Sequence, residues 1–308
     1  MKNFTKEKQI EAVTGWWNSD QIKKWDKQYD NWDQHTVRSL NRRLEKILQF
    51  VDSISLSEGA KVLDLGYGAG QISLEIGKRG FEVHGLDISN KLKNIAIKRC
   101  STECPEGKFH FKIGSLDSKL DYQDNTFDLV IISGVLHYLY NPEHCTKEVY
   151  RILSKSGHLI IGQRTAYSLS QLASIRTFIC SLLYFILREK YELFPSYKSM
   201  LCDSKLGYFF NRFRDNKIFN SKFMLKGHDN WQYKLKKNLF TNSRLKTLIK
   251  KSGLVHVQSL GAYYCYSDNP KYFNFNLKID DLFNKITSYR LLSHLSGLSR
   301  ITVMLAKK

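Results

Sequence analysis

Three glycines and two aspartates in the first third of the chain have the spacing that a nucleotide-like ligand requires. In VLDLGYGAG (Val62 to Gly70) an apolar run leads into Gly66, Gly68 and Gly70, and a helical stretch, QISLEIGKRG, follows at once. Glycines at such a turn let the backbone bend sharply and let a ligand lie against bare peptide groups. The helix start behind them offers unpaired N–H groups and a partial positive charge, which suit a carboxylate as well as a phosphate. A nicotinamide-type fingerprint asks for glycine at position 71, where this chain has Gln71. It also does not call for the acidic Asp64, a residue suited to the ammonium of an amino-acid ligand. Asp87, in EVHGLDIS, stands seventeen residues beyond Gly70. A carboxylate at the end of a second strand can accept both hydroxyls of a ribose.

The elements that must hold these groups follow from periodicity. From Lys61, short apolar runs alternate with helical stretches, which marks βαβ units and a doubly wound α/β fold. Strands are expected at 61–65, 82–86, 109–113, 128–133 and 158–163, with helices at about 71–79, 90–103 and 143–153 between them. The turn Lys155-Ser156-Gly157 is expected to separate the last helix from its strand. Residues 5–54 read as helices: Val37, Leu40, Leu44, Ile47, Leu48 and Val51 recur at helical spacing behind an aromatic stretch with Trp16, Trp17, Trp25, Tyr29 and Trp32. After Arg164 the alternation stops for an insertion, 165–239, helical over 169–188. It resumes with a helix at 241–251, a strand at 254–260, a helix near 277–293 and a strand at 301–306. The expected organisation is an N-terminal helical cap (1–55), a ligand-binding core (56–164), the insertion as an acceptor lid (165–239), and the remainder of the core (240–308).

Composition narrows the class. With 42% hydrophobic and 25% charged residues the chain reads as globular rather than disordered. Its start is charged and lacks an apolar signal segment, and the longest apolar run, Thr177 to Leu187, is about half of a bilayer span. A cytoplasmic location is expected, with peripheral membrane contact as an extension of it. The six cysteines show no zinc-ligand spacing, so no metal and no disulfide framework is expected. The net charge of +19 is unevenly placed. Residues 1–163 carry 23 Lys/Arg against 21 Asp/Glu, and residues 164–308 carry 25 against 8. A basic second half suits an anionic substrate, an anionic membrane surface or nucleic acid.

Together, VLDLGYGAG, GLDIS, GSLDSKLDYQDNTFDLVIISGVLHYL and RILSKSGHLII resemble, in order, the class I S-adenosylmethionine (AdoMet)-dependent methyltransferases, in particular the branch of ubiquinone/menaquinone-biosynthesis and other small-molecule enzymes. The resemblance covers about residues 58–164. It implies a Rossmann-like, mostly parallel seven-stranded sheet whose last strand, ITVMLA, is antiparallel. It also implies AdoMet as cofactor: Asp64, Gly66, Tyr67, Gly68 and Gly70 around the methionine part, Asp87 and Ile88 at ribose and adenine, Ser115 and Leu116 flanking the adenine, and Ser133 near the amino group. Tyr67 stands where the family often has cysteine and Ser115 where it often has aspartate, which weakens the expected bond to the adenine amino group.

On the acceptor side, His137 follows the fourth strand, where the family places residues close to the transferred methyl. An imidazole there is a candidate general base or a packing group. Arg164, just past the fifth strand, is a candidate for an anionic substrate or the surface. The Asp/Asn-Pro-Pro-aromatic tetrad of the amino-methylating branches is replaced by Ser133-Gly134-Val135-Leu136. The expectation is therefore methyl transfer to a small or amphiphilic, anionic molecule, O-methylation favoured. The alternative is an RNA methyltransferase gripping phosphates with the basic half.

Overall fold

The computed structural model describes residues 5–19, 34–165, 238, 240–265, 273–288, 296 and 298–308. The expected aromatic positions Trp25, Tyr29 and Trp32, the helix at 169–188 and almost all of the insertion lie outside them.

Runs of branched aliphatic residues make the central strands because both faces of the sheet are covered. In chain order the elements are α1 (Lys6–Trp17), α2 (Gln34–Ser53), β1 (Lys61–Leu65), α3 (Gln71–Gly77), β2 (Glu82–Asp87), α4 (Asn90–Glu103), β3 (Phe109–Ile113), β4 (Phe127–Ser133) and a 3₁₀ turn (Leu136–Tyr138). They continue with α5 (Pro142–Ile152), β5 (Leu153–Arg164), α6 (Asn242–Lys251), β6 (Val255–Gly261), α7 (Phe273–Ser288) and β7 (Ile301–Lys307). The seven strands lie in the order β3-β2-β1-β4-β5-β7-β6. β1 to β5 are parallel, and β7 runs antiparallel between β5 and β6. The doubly wound α/β expectation, with its antiparallel last strand, holds.

Alternation along β1 and β4 divides the core. Leu63, Leu65, Val130 and Ile132 pack with Val149 of α5 and Leu245 of α6 on one face. Val62, Leu129 and Ile131 pack with Ile47, Phe50 and Val51 of α2 and Ile76 of α3 on the other. The edge strands β3 and β6 are the partly exposed ones and carry lysine, histidine and glutamine.

The structure moves some boundaries. The turn expected at 155–157 is a bulge inside a longer β5: Phe127 pairs with Leu153, but Leu129 pairs with His158. The extra residues are taken up there, where the Gly157 carbonyl accepts from Lys308 N at 3.0 Å. α7 starts at Phe273, four residues before its expected start.

An ion-pair group that the sequence did not reveal pins α7 to α2. Asp280 is fully buried and accepts from Arg42 Nε at 2.8 Å and Arg38 Nε at 3.2 Å, while Asp281 accepts from Arg42 Nη2 at 2.6 Å. The other Asp280 oxygen accepts from Tyr264 N at 3.1 Å. Asp280→Ala removes the buried partner of two guanidiniums that keep Asp281 and strips the Tyr264 amide of its acceptor, and should cost about 1–3 kcal/mol in urea unfolding. Asp280→Asn, which keeps the backbone partner, should cost less.

Candidate cofactor and acceptor site

A cleft of about 700 Å³ opens at the carboxyl ends of the parallel strands, where open α/β sheets bind ligands. Nine of the eleven sequence-derived site residues line it: Gly66, Tyr67, Gly68, Asp87, Ile88, Ser115, Leu116, Ser133 and His137. Asp64 and Gly70 do not.

The three glycines are needed for different reasons. All have positive φ, at 78°, 57° and 78° for Gly66, Gly68 and Gly70, a region that costs any other residue strain. A Cβ on Gly66 would collide with the Val135 side chain, and one on Gly70 would lie 2.9 Å from Ala96 Cβ and 3.1 Å from its Cα. Gly70 therefore serves the packing of α3 on α4. A Cβ on Gly68 meets nothing within 4 Å, so this glycine faces open cleft.

Asp87 ties the glycine turn to β2. Its Oδ2 accepts from Gly68 N at 3.0 Å and its Oδ1 from Ser89 N at 2.9 Å. Burial pushes its pKa up, and these backbone donors pull it back. A carboxylate has about four acceptor sites, so both oxygens retain capacity for ligand hydroxyls. Asp64 sits beneath the floor. It is 1% exposed, and its Oδ2 accepts from Ser73 Oγ at 2.7 Å. Burial raises its pKa to about 7, the Ser73 bond opposes this, the charge of Asp87 adds to it, and Arg43 opposes it again.

Four of the five buried side-chain atoms without a hydrogen-bond partner among the described residues gather at this end: Asp64 Oδ1, Gln71 Oε1, Ser133 Oγ and Gln163 Oε1. Buried polar atoms are normally satisfied, so such a cluster marks where a polar ligand or ordered water belongs. Tyr67 forms a wall, its ring tilted against Phe111 with centroids 4.7 Å apart.

Several lining residues escaped the sequence reading. Asp117, two residues beyond Ser115, accepts from Tyr140 N and Asn141 N, each at 2.9 Å, and so ties the loop after β3 to the start of α5. Arg43 of α2 reaches over the strand ends: a Cβ on Gly134 would lie 2.6 Å from its Nη1, and one on Gly162 would lie 3.4 Å from its Cδ. Helix α1 contributes Ile10, Val13 and Trp17. Its two ends are fastened to opposite sides of the cleft. Gln9 donates to the Tyr138 carbonyl, Ser89 Oγ donates to the Trp17 carbonyl, and Trp17 packs edge-on to Tyr138 at 6.0 Å. Part of the aromatic N-terminal stretch is thus a wall of the cleft, not only core. The signal for Arg43 and α1 is long-range contact, which no spacing reveals.

His137 lies in the 3₁₀ turn after β4, with Nδ1 3.1 Å from Gln163 Nε2. If the amide nitrogen donates, the neutral ring carries its proton on Nε2. With the amide turned, Oε1 accepts from Nδ1–H, gains the partner it lacks, and leaves Nε2 as an acceptor. The ends of the insertion meet beside this turn: Thr165 bridges Phe240, and Asn238 donates to the carbonyls of His137 at 3.0 Å and Leu139 at 2.7 Å. Among the described residues, three metal-ligand side chains converge only at Glu82, His84 and His110, near the amino ends of β2 and β3, away from the cleft.

Comparison with known proteins agrees with this geometry. A family model described as a methyltransferase domain matches residues 63–161. Demethylmenaquinone methyltransferase of Leptospira interrogans is 28% identical over 128 residues, covering 41% of this chain and 47% of the relative. Phosphoethanolamine N-methyltransferase of Plasmodium falciparum is 31% identical over 121 residues, covering 38% and 44%. The Escherichia coli O-antigen chain terminator bifunctional methyltransferase/kinase WbdD is 29% identical over 130 residues, covering 41% and 18%. The matches span about half of these relatives or less. Among solved structures, magnesium protoporphyrin IX methyltransferase of Synechocystis with bound SAH shares the fold at 13% identity, with 97% of this chain and 99% of that one covered and a TM-score of 0.56. Residues 63–161 thus match a methyltransferase domain, and the chain shares its fold with a methyltransferase of known structure. The cleft's chemistry suits AdoMet: it offers unpartnered polar atoms beside a glycine turn open to the cleft, and the Asp87 carboxylate bonded to that turn.

The raised Asp64 pKa has a measurable consequence. Its folded value, about 7, lies above the unfolded one near 3.8, so the folded chain holds the extra proton between them. The ligand-free protein should lose stability as pH rises from about 4 to about 7. Urea midpoints across that range should fall for the wild type and flatten in Asp64→Asn.

Proposed function

We propose that the chain transfers a methyl group from AdoMet to a small or amphiphilic acceptor, with an oxygen acceptor favoured. The observation that carries this is the Asp87 carboxylate, buried at the end of β2 and bonded to the Gly68 amide of the glycine turn. AdoMet, when bound, supplies a methyl group made electrophilic by its sulfonium. The residues of the chain bind, orient and exclude water. Asp87 holds the ribose diol, and Ile88, Ser115 and Leu116 flank the adenine. The peptide groups of Gly66 to Gly68, with Ser133, hold the methionine part, with Asp64 behind them and Gly70 setting the turn. We assign Arg43, whose guanidinium lies against Gly134, to the methionine carboxylate. α1 and Tyr138 keep water from the reacting atoms, and alignment supplies most of the rate. His137 serves as base through Nε2 when Gln163 Oε1 holds Nδ1–H.

The names of the relatives, a quinone-pathway and a phosphoethanolamine enzyme, support a small-molecule acceptor. The basic second half supports an anionic one and peripheral contact with an anionic membrane from the cytoplasm. Among the described residues no helix is long and apolar enough to cross a membrane. Residues 165–239, whose described ends meet beside Arg164, belong to the acceptor side in this reading. Transfer from labelled AdoMet into RNA rather than into lipid or soluble fractions of cell extract would favour the RNA alternative.

Asp87→Ala should weaken AdoMet binding by about 1.5–3 kcal/mol in calorimetry, the scale of a hydrogen bond to a charged group. Unchanged affinity would remove the ribose assignment. Gly68→Val should be worse, since a side chain there enters open cleft from a positive φ.

His137→Ala should leave AdoMet affinity nearly unchanged and lower turnover by about 10²–10⁴. Gln163→Leu should lower turnover in the same direction and shift the acidic limb of the pH–rate profile. A loss of only a few fold in His137→Ala would make it a packing residue.

A further inference from the structure

We propose that Glu82, His84 and His110 bind a divalent transition-metal ion of the zinc type, at the end of the sheet opposite the cleft. Such a site lies outside the methyltransferase reading and does not depend on it.

The strand pattern puts the three side chains together. Residues 82 and 84 are two apart on β2, so both project from one face of the sheet. His84 pairs with His110 across the parallel β2–β3 ladder, which sets the second imidazole beside the first. The two rings stack with centroids 4.7 Å apart and planes 30° from parallel. Cysteine spacing is blind to such a site, and one of its ligands comes from the neighbouring strand.

The distances suit one small ion. Zinc holds imidazole nitrogen and carboxylate oxygen at about 2.0–2.2 Å, so the ligand atoms around it are about 3.0–3.6 Å apart. Glu82 Oε1 lies 2.8 Å from His84 Nε2 and 3.7 Å from His110 Nε2. One ligand atom of each residue lies within 4.8 Å of the other two. The widest gap therefore has to close by about an ångström, which the exposed His110 side chain does by rotating about its own bonds. Two imidazoles and a carboxylate select zinc, copper or nickel over calcium and magnesium, which prefer shells of oxygen. Three protein ligands leave a position for water.

The surroundings hold the ligands in place. Phe127 and Tyr122 meet the His84 ring edge-on, with centroids at 5.3 Å and 6.5 Å, and fix its orientation. Burial holds the His84 pKa below its ordinary value against the opposing pull of Glu82, which lessens the competition between proton and metal. Lys61 pairs with Glu82 across the β1–β2 ladder and is the lysine whose charge acts on both Glu82 and His84. It is exposed, so its ammonium has solvent to turn to. Glu82 and His84 stand five and three residues before Asp87 on β2, about 17 and 10 Å along the strand. An ion there ties β3, an edge strand, to β2 and does not touch the ligand of the cleft.

Calorimetric titration of the untagged full chain with zinc at pH 7, after removal of metals by a chelator, tests the assignment. One ion per chain should bind with a Kd below about 10 μM, and calcium or magnesium at the same concentration should not compete. Glu82→Gln and His110→Ala should each weaken zinc binding by at least about tenfold. Both positions are at least partly exposed, so circular dichroism should show the fold kept. Zinc should raise the thermal unfolding midpoint of the wild type and raise that of the variants less. S-adenosylhomocysteine affinity should stay within about twofold in both variants, since the site is remote from the cleft. Cobalt in place of zinc should show no thiolate charge-transfer absorption, because no cysteine belongs to the set. Absence of zinc binding below about 100 μM, an affinity unchanged in either variant, or thiolate absorption from bound cobalt overturns the proposal. Zinc affinity is the readout, so the result stands whether or not AdoMet binding is found.

Discussion

Everything at the ligand end of this fold depends on one buried carboxylate that receives two backbone amides. Asp87 holds Gly68 with one oxygen and Ser89 with the other. The first bond fixes the glycine turn after β1 relative to β2. The second orders the start of α4, where Ser89 Oγ accepts from Leu92 N at 3.2 Å as the cap. Ser89 Oγ in turn donates to the carbonyl of Trp17, so the same knot anchors α1 over the cleft. A single side chain thus couples the floor, one wall and the roof, and the bonds that counter the effect of burial on Asp87 also shape the site around it.

The cost of this arrangement is concentrated one layer down. Asp64 has one oxygen on Ser73 and one on nothing, and its charge is disfavoured further by Asp87. A core optimised only for stability would put an apolar residue there, since an unsatisfied buried carboxylate costs more than it returns. Ser133, Gln71 and Gln163 repeat the pattern at neighbouring strand and helix ends. Polar atoms held without partners in a preorganised cleft are destabilising until a ligand meets them. That distribution separates this end of the sheet from the rest of the core, where the large buried side chains are aliphatic or aromatic.

The central strands were legible in the sequence because burial on both faces writes an apolar run, and all seven strands, the antiparallel β7 included, were found within a few residues except the start of β5. The miss there has a physical origin. Ser154 to Gly157 has turn composition, but the extra residues bulge within a strand whose neighbour continues. The glycine turn and Asp87 side of the cleft was also readable, since glycine conformation and a strand-end carboxylate depend on local sequence. The opposite side was not. Arg43, Asp117, Arg300 and the α1 residues enter through pairings between elements far apart in the chain, and α1 itself has little amphipathic pattern. Asp280 escaped for the same reason: its partners Arg38 and Arg42 are more than two hundred residues away.

The same division explains how the two halves of the chain share the work. The first half supplies the turn, Asp87 and the roof and is nearly neutral. The second half closes the sheet with an antiparallel strand and carries the excess of positive charge. Because β7 runs antiparallel beside β5, its amino end, not its carboxyl end, reaches the ligand side, and the residue just before it is Arg300. A parallel seventh strand would have placed its carboxyl end there instead, and Arg300 would lie at the far edge of the sheet. The reversed strand is therefore what brings a residue from the chain's last ten into the lining of the cleft that also holds Arg164.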